Sequence, residues 1–257
     1  MSTTAASATS AGRRQAELIL TGERTLPGIA EENYWFRRHE AAYLAVAPFV
    51  RGAVVLEAGC GEGYGAALLA QHASRVLAVD LDATTVRHVR TRYPDTVSAL
   101  RGDLQRLPVT AGAVEVVALL QTVEHLHDQA GFLRECARVL RPAGTLILST
   151  PNRLTFSPGL ARPLNPFHTR ELDPAELDDL LAPAFLTVRR WGLRHGRRLR
   201  RWERRHGSLV ETLLATPPPA WPAELAALVT SVTAADFVID EAARENCLDL
   251  VAVAVRR

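Results

Sequence analysis

Lysine is missing altogether from this chain of 257 residues, so all 30 of its fixed cations are arginines. Such a bias follows from GC-rich coding, and it makes any basic stretch look more arginine-specific than its function requires. Sulfur is scarce too, with three cysteines and one methionine. Cys60, Cys136 and Cys247 are odd in number and scattered, which excludes a disulfide framework or a clustered zinc site and points to reduced thiols. No apolar run approaches twenty residues, and the small, polar N-terminal residues contain no apolar segment of a secretory leader. The expectation is a cytoplasmic protein without a membrane span. Charge of one sign is also lacking: 30 basic against 28 acidic residues leave +2, so the overall balance calls for neither nucleic acid nor an anionic surface as partner.

What is present is organised around residues 53–65. Val54, Val55 and Leu56 form a short apolar run that suits a buried parallel strand. Glu57 closes it, and glycines follow at 59, 61, 63 and 65. An alanine- and leucine-rich helix then begins. A strand, a glycine turn and a helix let a ligand lie against bare backbone at a helix N-terminus. Gly61, Gly63 and Ala66 formally satisfy the dinucleotide fingerprint, which keeps a nicotinamide-dependent oxidoreductase among the readings.

Downstream, apolar runs alternate with helical patterns. Strands are expected over 75–80, 97–100, 114–121, 145–150, 185–191 and 248–255, with helices over 83–92 and 129–140. This alternation predicts a doubly wound α/β sheet, whose ligands lie at the carboxyl ends of the strands. Asp80 ends the second strand about twenty residues after the first glycines, where a carboxylate accepts ribose hydroxyls; Asp82 is the better helix cap. Asp103, after the third strand, is either a ligand acceptor or a turn former after glycine. Gln121 ends the fourth strand. The chain divides into a disordered tail (1–20), a helical cap or lid (21–52) and the main domain (53–257). That domain carries a Pro-rich loop at 151–170 on the ligand edge and a helical insertion at 192–246.

An acidic strand end followed by Gly-x-Gly-x-Gly resembles motif I of class I S-adenosylmethionine (SAM) methyltransferases. The resemblance implies SAM as cofactor and a seven-stranded, mostly parallel sheet whose last strand is antiparallel. It places Glu57 at the cationic end of SAM. Gly59, Cys60, Gly61 and Gly63 would form the turn beneath it, with Asp80 and Leu81 at the ribose. Asp103 would accept from the adenine amine beside Leu104, and Gln121 would lie on the same edge. In the N-terminal segment, Tyr34 and Arg38 would cover the ligand and meet its carboxylate; the alternative is an aromatic cap over the sheet.

More narrowly, the segments 21–25, 32–39, 56–64, 149–153 and 165–170 resemble an actinobacterial subgroup. That subgroup occurs with methylglucose polysaccharide synthesis, and its members are taken to be sugar O-methyltransferases. The implied acceptor is a sugar, glycan or small-molecule hydroxyl. An alcohol must lose its proton, and histidine is the commonest base. His125 and His168 are both candidates, with Glu124 and His127 behind them. The Glu124–His125 pair also resembles quinone-pathway O-methyltransferases, some of which hold a metal through a further acid three positions before the Glu. Here that position is Gln121, so no metal site is expected. Residues 121–125 contain neither an Asn/Asp-Pro-Pro-aromatic motif nor a Pro-Cys pair, which disfavours base amine and cytosine C5 methylation. The arginine-rich run at 194–205 is read as a solvated helix face, with binding of a polyanionic acceptor such as RNA as the alternative.

Overall fold

The computed structural model describes residues 24–241 and 245–257; the tail expected over 1–20 lies outside the described residues. The elements begin with α1 (Asn33–Val46), β1 (Val54–Ala58), α2 (Tyr64–Ala70), β2 (Arg75–Asp80), α3 (Ala83–Arg92), β3 (Val97–Arg101), β4 (Val114–Leu120) and α4 (Gln129–Val139). They continue with β5 (Leu140–Pro151), α5 (Arg153–Phe156), α6 (Pro174–Leu181), β6 (Phe185–His195), α7 (Arg197–His206), α8 (Leu209–Ala215), α9 (Ala223–Ser231), β7 (Phe237–Asp240) and β8 (Asp249–Arg256).

The eight strands form one sheet in the order β3-β2-β1-β4-β5-β8-β6-β7. The five on the β3 side are parallel to their neighbours, while β8 runs antiparallel between β5 and β6. Side chains alternate across the pleat, so Val55 joins one core with Val76, Tyr34 and Val229, whereas Leu56 joins the other with Phe132, Leu146 and Phe185. Helices thus cover both faces. The order turns back at β1 and β4, whose carboxyl ends open a crevice for ligands.

Several helix ends are set by single residues. Asp82 caps α3 through the Thr84 and Thr85 N–H groups. Asp173, Pro174 and Glu176 start α6 with a capping box.

The sheet has eight strands where seven were expected. The additional strand, β7, lies within the 192–246 segment read as helical, and β6 continues to His195 instead of stopping at 191. Residues 192–195 pair antiparallel with 237–240. A four-residue strand is too short for its alternation to stand out against the helices around it. Residues 141–144, ahead of the strand expected over 145–150, are absorbed into β5. They persist there as a break in register against β4 and as a left-handed Ala143 at φ 58°. Among the described residues no helix is long and apolar enough to cross a membrane.

Candidate active site

Two clefts meet over the crevice. The first lies on the glycine turn and is walled by Asp80, Leu81, Asp103, Leu104, Leu120 and Leu126. Gly59 has φ 78°, and a Cβ there would strike Thr122 at 2.5 Å. Gly61 has φ 50°, and its Cβ direction meets nothing nearer than the Arg24 Cβ at 4.0 Å, so the turn presents backbone to open space. Asp80 Oδ2 accepts the Gly61 N–H at 3.0 Å and Oδ1 accepts the Asp82 N–H at 2.9 Å. Each carboxylate oxygen keeps a second lone pair for a ligand. Asp103 Oδ1 takes the Gln105 N–H at 2.8 Å. Two acids at strand ends separated by leucines suit a nucleoside: hydroxyls at one acid, an exocyclic amine at the other, a base between apolar walls. These residues therefore fit SAM's adenosine.

The second cleft adjoins the first through Arg24, Thr25, His39, Gln121 and His125, which line both. Its wall combines Trp35, Phe156 and Phe167 with Glu32, Glu124, Asn165 and His168. Loop 151–170 therefore faces this space, as its position after β5 implies. Gln121 adopts φ 56°, a strained conformation for a non-glycine residue. Its Nε2 donates to Ser149 Oγ at 2.9 Å and Asp249 Oδ1 at 3.3 Å. Glu124 is buried and accepts from Thr150 Oγ1 at 2.9 Å; burial pushes its carboxyl up to about 7. His39 shares Nδ1 with the Tyr64 hydroxyl at 3.0 Å. Burial, with nearby Arg38 adding to it, holds that imidazole down to about 3, so it is neutral at physiological pH.

Four of the expected cofactor residues are placed elsewhere. Tyr34 is fully buried and its hydroxyl bonds His195 Nε2 at 2.7 Å, away from both clefts. Arg38 borders the second cleft, but its guanidinium is committed to Asp249 through Nε at 2.8 Å and Nη2 at 2.5 Å. It is not held open for a ligand carboxylate. Glu57 lies beneath the turn, on the Val55 side of the pleat. Its Oε1 accepts from Tyr43 at 2.6 Å, and its buried Oε2 has no hydrogen-bond partner among the described residues. Gly63 is the N-cap of α2 and is not among the residues that line either cleft. Gly59, Cys60, Gly61, Asp80, Leu81, Asp103, Leu104 and Gln121 all line the first cleft.

Burial pushes the Glu57 carboxyl up to about 8 against an ordinary 4.5, although the Tyr43 hydroxyl bond pulls the other way. The folded chain therefore holds this proton more tightly than the unfolded chain. Its stabilising contribution is complete below about pH 4.5 and is lost as pH rises through 8. Glu57→Gln should flatten the fall in Tm between about pH 5 and 8.5, by about 3 °C or more at the alkaline end. Parallel melting curves for the two proteins would place that titration elsewhere.

Glu124, His125 and His168 offer donor atoms within 4.8 Å of one another, a spacing that a divalent ion could bridge. The expectation of no metal considered only residues near Glu124 in sequence; His168 reaches the group from the 151–170 loop. Glu171 was missed. It is buried, and its Oε1 lies 2.7 Å from His168 Nδ1. An acid three residues beyond a loop histidine was the available signal. His39 was missed as well, although it shares the cleft-facing side of α1 with Trp35, four residues earlier.

A family model described as a methyltransferase domain matches residues 56–148. A Mycobacterium tuberculosis protein named as a probable S-adenosylmethionine-dependent methyltransferase is 52% identical over 249 residues, covering 94% of this chain and 90% of its own length. A Mycolicibacterium smegmatis protein of the same description is 52% identical, with 93% and 95% covered. A Xanthomonas campestris protein named ubiquinone biosynthesis O-methyltransferase is 32% identical over 123 residues, 46% of this chain and 52% of its own. Among solved structures, the YcgJ protein of Bacillus subtilis superposes with a TM-score of 0.57 at 19% identity, covering 85% of this chain and 99% of that one, and shares the fold.

Proposed function

This chain belongs to the S-adenosylmethionine-dependent methyltransferases, and from that premise we propose that it O-methylates a sugar or other small hydroxylated acceptor with His168 as general base. The observation that carries the reading is how His168 is held. Asn165 Oδ1 accepts the Phe167 N–H at 3.0 Å, which turns its Nδ2 toward His168 Nε2 at 3.1 Å. His168 Nε2 is then the acceptor, so the ring proton sits on Nδ1 and is donated to Glu171. A buried carboxylate that fixes the tautomer and presents the opposite nitrogen to a cleft is the arrangement of a general base.

When bound, SAM supplies an electrophilic methyl on a sulfonium. Asp80 and Asp103 would hold its adenosine part, and the Gly59–Gly61 backbone would lie against it. Trp35 and Phe156 offer flat apolar faces to an acceptor ring, and Glu32 and Asn165 offer groups that bond hydroxyls. Once the acceptor hydroxyl displaces the Asn165 amide from His168 Nε2, that nitrogen takes the hydroxyl's proton as Glu171 stabilises the imidazolium. His125 donates Nδ1–H to the Phe167 carbonyl at 3.0 Å and stands with its ring centre 5.0 Å from that of His168, as the second base candidate. The resemblance to the methylglucose-associated subgroup supports a sugar. The ubiquinone O-methyltransferase relatives support a phenol, whose pKa near 10 asks less of a base.

Labelled SAM incubated with a cell extract separated into sugars, polysaccharide, lipid, RNA and protein tests the reading. Label in sugars or polysaccharide supports it, label in quinone-like lipid supports the phenol, and label in RNA or protein overturns both. On the cofactor side, Asp80→Ala should weaken SAM binding about 10- to 100-fold, the loss of a charged acceptor for two hydroxyls. Calorimetric titration measures this, and unchanged affinity removes Asp80 from the site.

A further inference from the structure

A stripe of arginines on α7 belongs to neither cleft. Arg197, Arg200, Arg201, Arg204 and Arg205 recur at the three- and four-residue spacing that puts side chains on one helix face, and all five are exposed. Buried Leu199 and Trp202 fix the helix's rotation from the other side. The stripe is about 12 Å long, from the rise of 1.5 Å per residue.

Its charge is not cancelled. Nearby arginines show that the fold pairs charges in this region: Arg194 meets Asp240 and Arg198 meets Asp236, each at 2.8 Å. Among the described residues, none of the five stripe arginines makes such a pair. The single carboxylate of α7, Glu203, is within electrostatic reach of Arg200 but is directed at His195 Nδ1, 2.9 Å away. A chain of net charge +2 therefore concentrates about five positive charges on one ridge.

We propose that this ridge docks on the anionic headgroups of a lipid bilayer. The ridge carries no exposed Phe, Tyr or Trp; Trp202 is 9% exposed and stacks on His206. Single-stranded nucleic acid sites combine a basic groove with stacking platforms, and this helix supplies neither. A planar array of headgroup charge needs only a row of cations. The apolar side of α7 is spent inside the protein, so contact is electrostatic, reversible and screened by salt. α8 packs on α7 and carries Leu214, which lines the acceptor cleft, so docking brings that cleft close to the membrane.

Sedimentation of the full chain with vesicles tests this independently of the acceptor. Binding is expected to mixed phosphatidylglycerol–phosphatidylcholine vesicles, not to phosphatidylcholine alone, and to fade with added salt. Removing three stripe charges together (Arg197→Gln, Arg201→Gln, Arg205→Gln) should lower partitioning roughly 100-fold, about fivefold per arginine, with an unchanged melting curve. The same charge removed at exposed Arg51, Arg75 and Arg87 should lower it less than about threefold, because the attraction decays within a Debye length. Equal losses from the two sets, no preference for anionic vesicles, or stripe-dependent RNA binding that displaces vesicles at the same salt would overturn the proposal.

Discussion

His168→Ala should slow methyl transfer about 10²- to 10⁴-fold, the usual contribution of a positioned general base, with SAM affinity unchanged. Its side chain lines the second cleft and not the first, on the glycine turn, so on the proposed reading binding and turnover separate. Glu171→Gln keeps the shape and most of the hydrogen bond, so His168 remains placed. It removes the charge that stabilises the imidazolium, so turnover should fall, though less than in the alanine variant. A Glu171 that serves structure alone would leave turnover of this isosteric variant at the native rate. Single-turnover label transfer on the acceptor identified by the extract experiment provides the readout. If His168→Ala turns over at the native rate while His125→Ala does not, the base is His125. If neither slows the reaction, the histidine mechanism fails. The size of the effect also reports on the acceptor, since a phenol tolerates the loss of a base far better than an alcohol does.

The second large effect concerns stability. Arg38 and Asp249 are each about 1% exposed and joined by two hydrogen bonds. Removing one partner strands the other charge in the interior, which costs about 3–5 kcal/mol, a large share of the roughly 5–15 kcal/mol that holds a domain together. Asp249→Ala should lower Tm by about 10 °C. Replacing both partners with apolar residues, as in Arg38→Met with Asp249→Leu, should recover much of that loss, because no buried charge remains unpaired. Differential scanning calorimetry separates the outcomes. A single variant that melts like the parent would mean that water reaches the pair. Because Asp249 also accepts from Gln121, the double variant should regain stability before it regains a correctly shaped cleft.

Much of this site was legible because its determinants are local. The glycine turn, Asp82 and Asp103 each follow a strand within a few residues and Asp80 ends one, and strand, turn and helix patterns survive in sequence. The side of the strand on which Glu57 falls was legible in principle: it shares the pleat face of Val55, which carries it under α2 and not into the cleft. What escaped were partnerships across long separations. Nothing near Arg38 announces an acid 211 positions away, and nothing near Tyr34 announces His195. Both arginine and tyrosine were assigned to the ligand because aromatic and guanidinium groups serve ligand binding and interior pairing alike. β7 escaped for a different reason: four residues carry too little periodicity to be read.

The Arg38–Asp249 pair has a kinetic corollary. It clasps α1, ahead of the sheet in sequence, to β8, the strand that fills the gap between β5 and β6. The helix bordering the acceptor cleft therefore cannot be seated until β8 has entered the sheet, and closing so long a loop is intrinsically slow. On refolding, protection of amide protons in the parallel half around β1 and β2 should precede protection in α1 and β8. The cofactor's floor would thus form before the acceptor's wall, and a partly folded chain could take hold of SAM before it has anywhere to deliver the methyl.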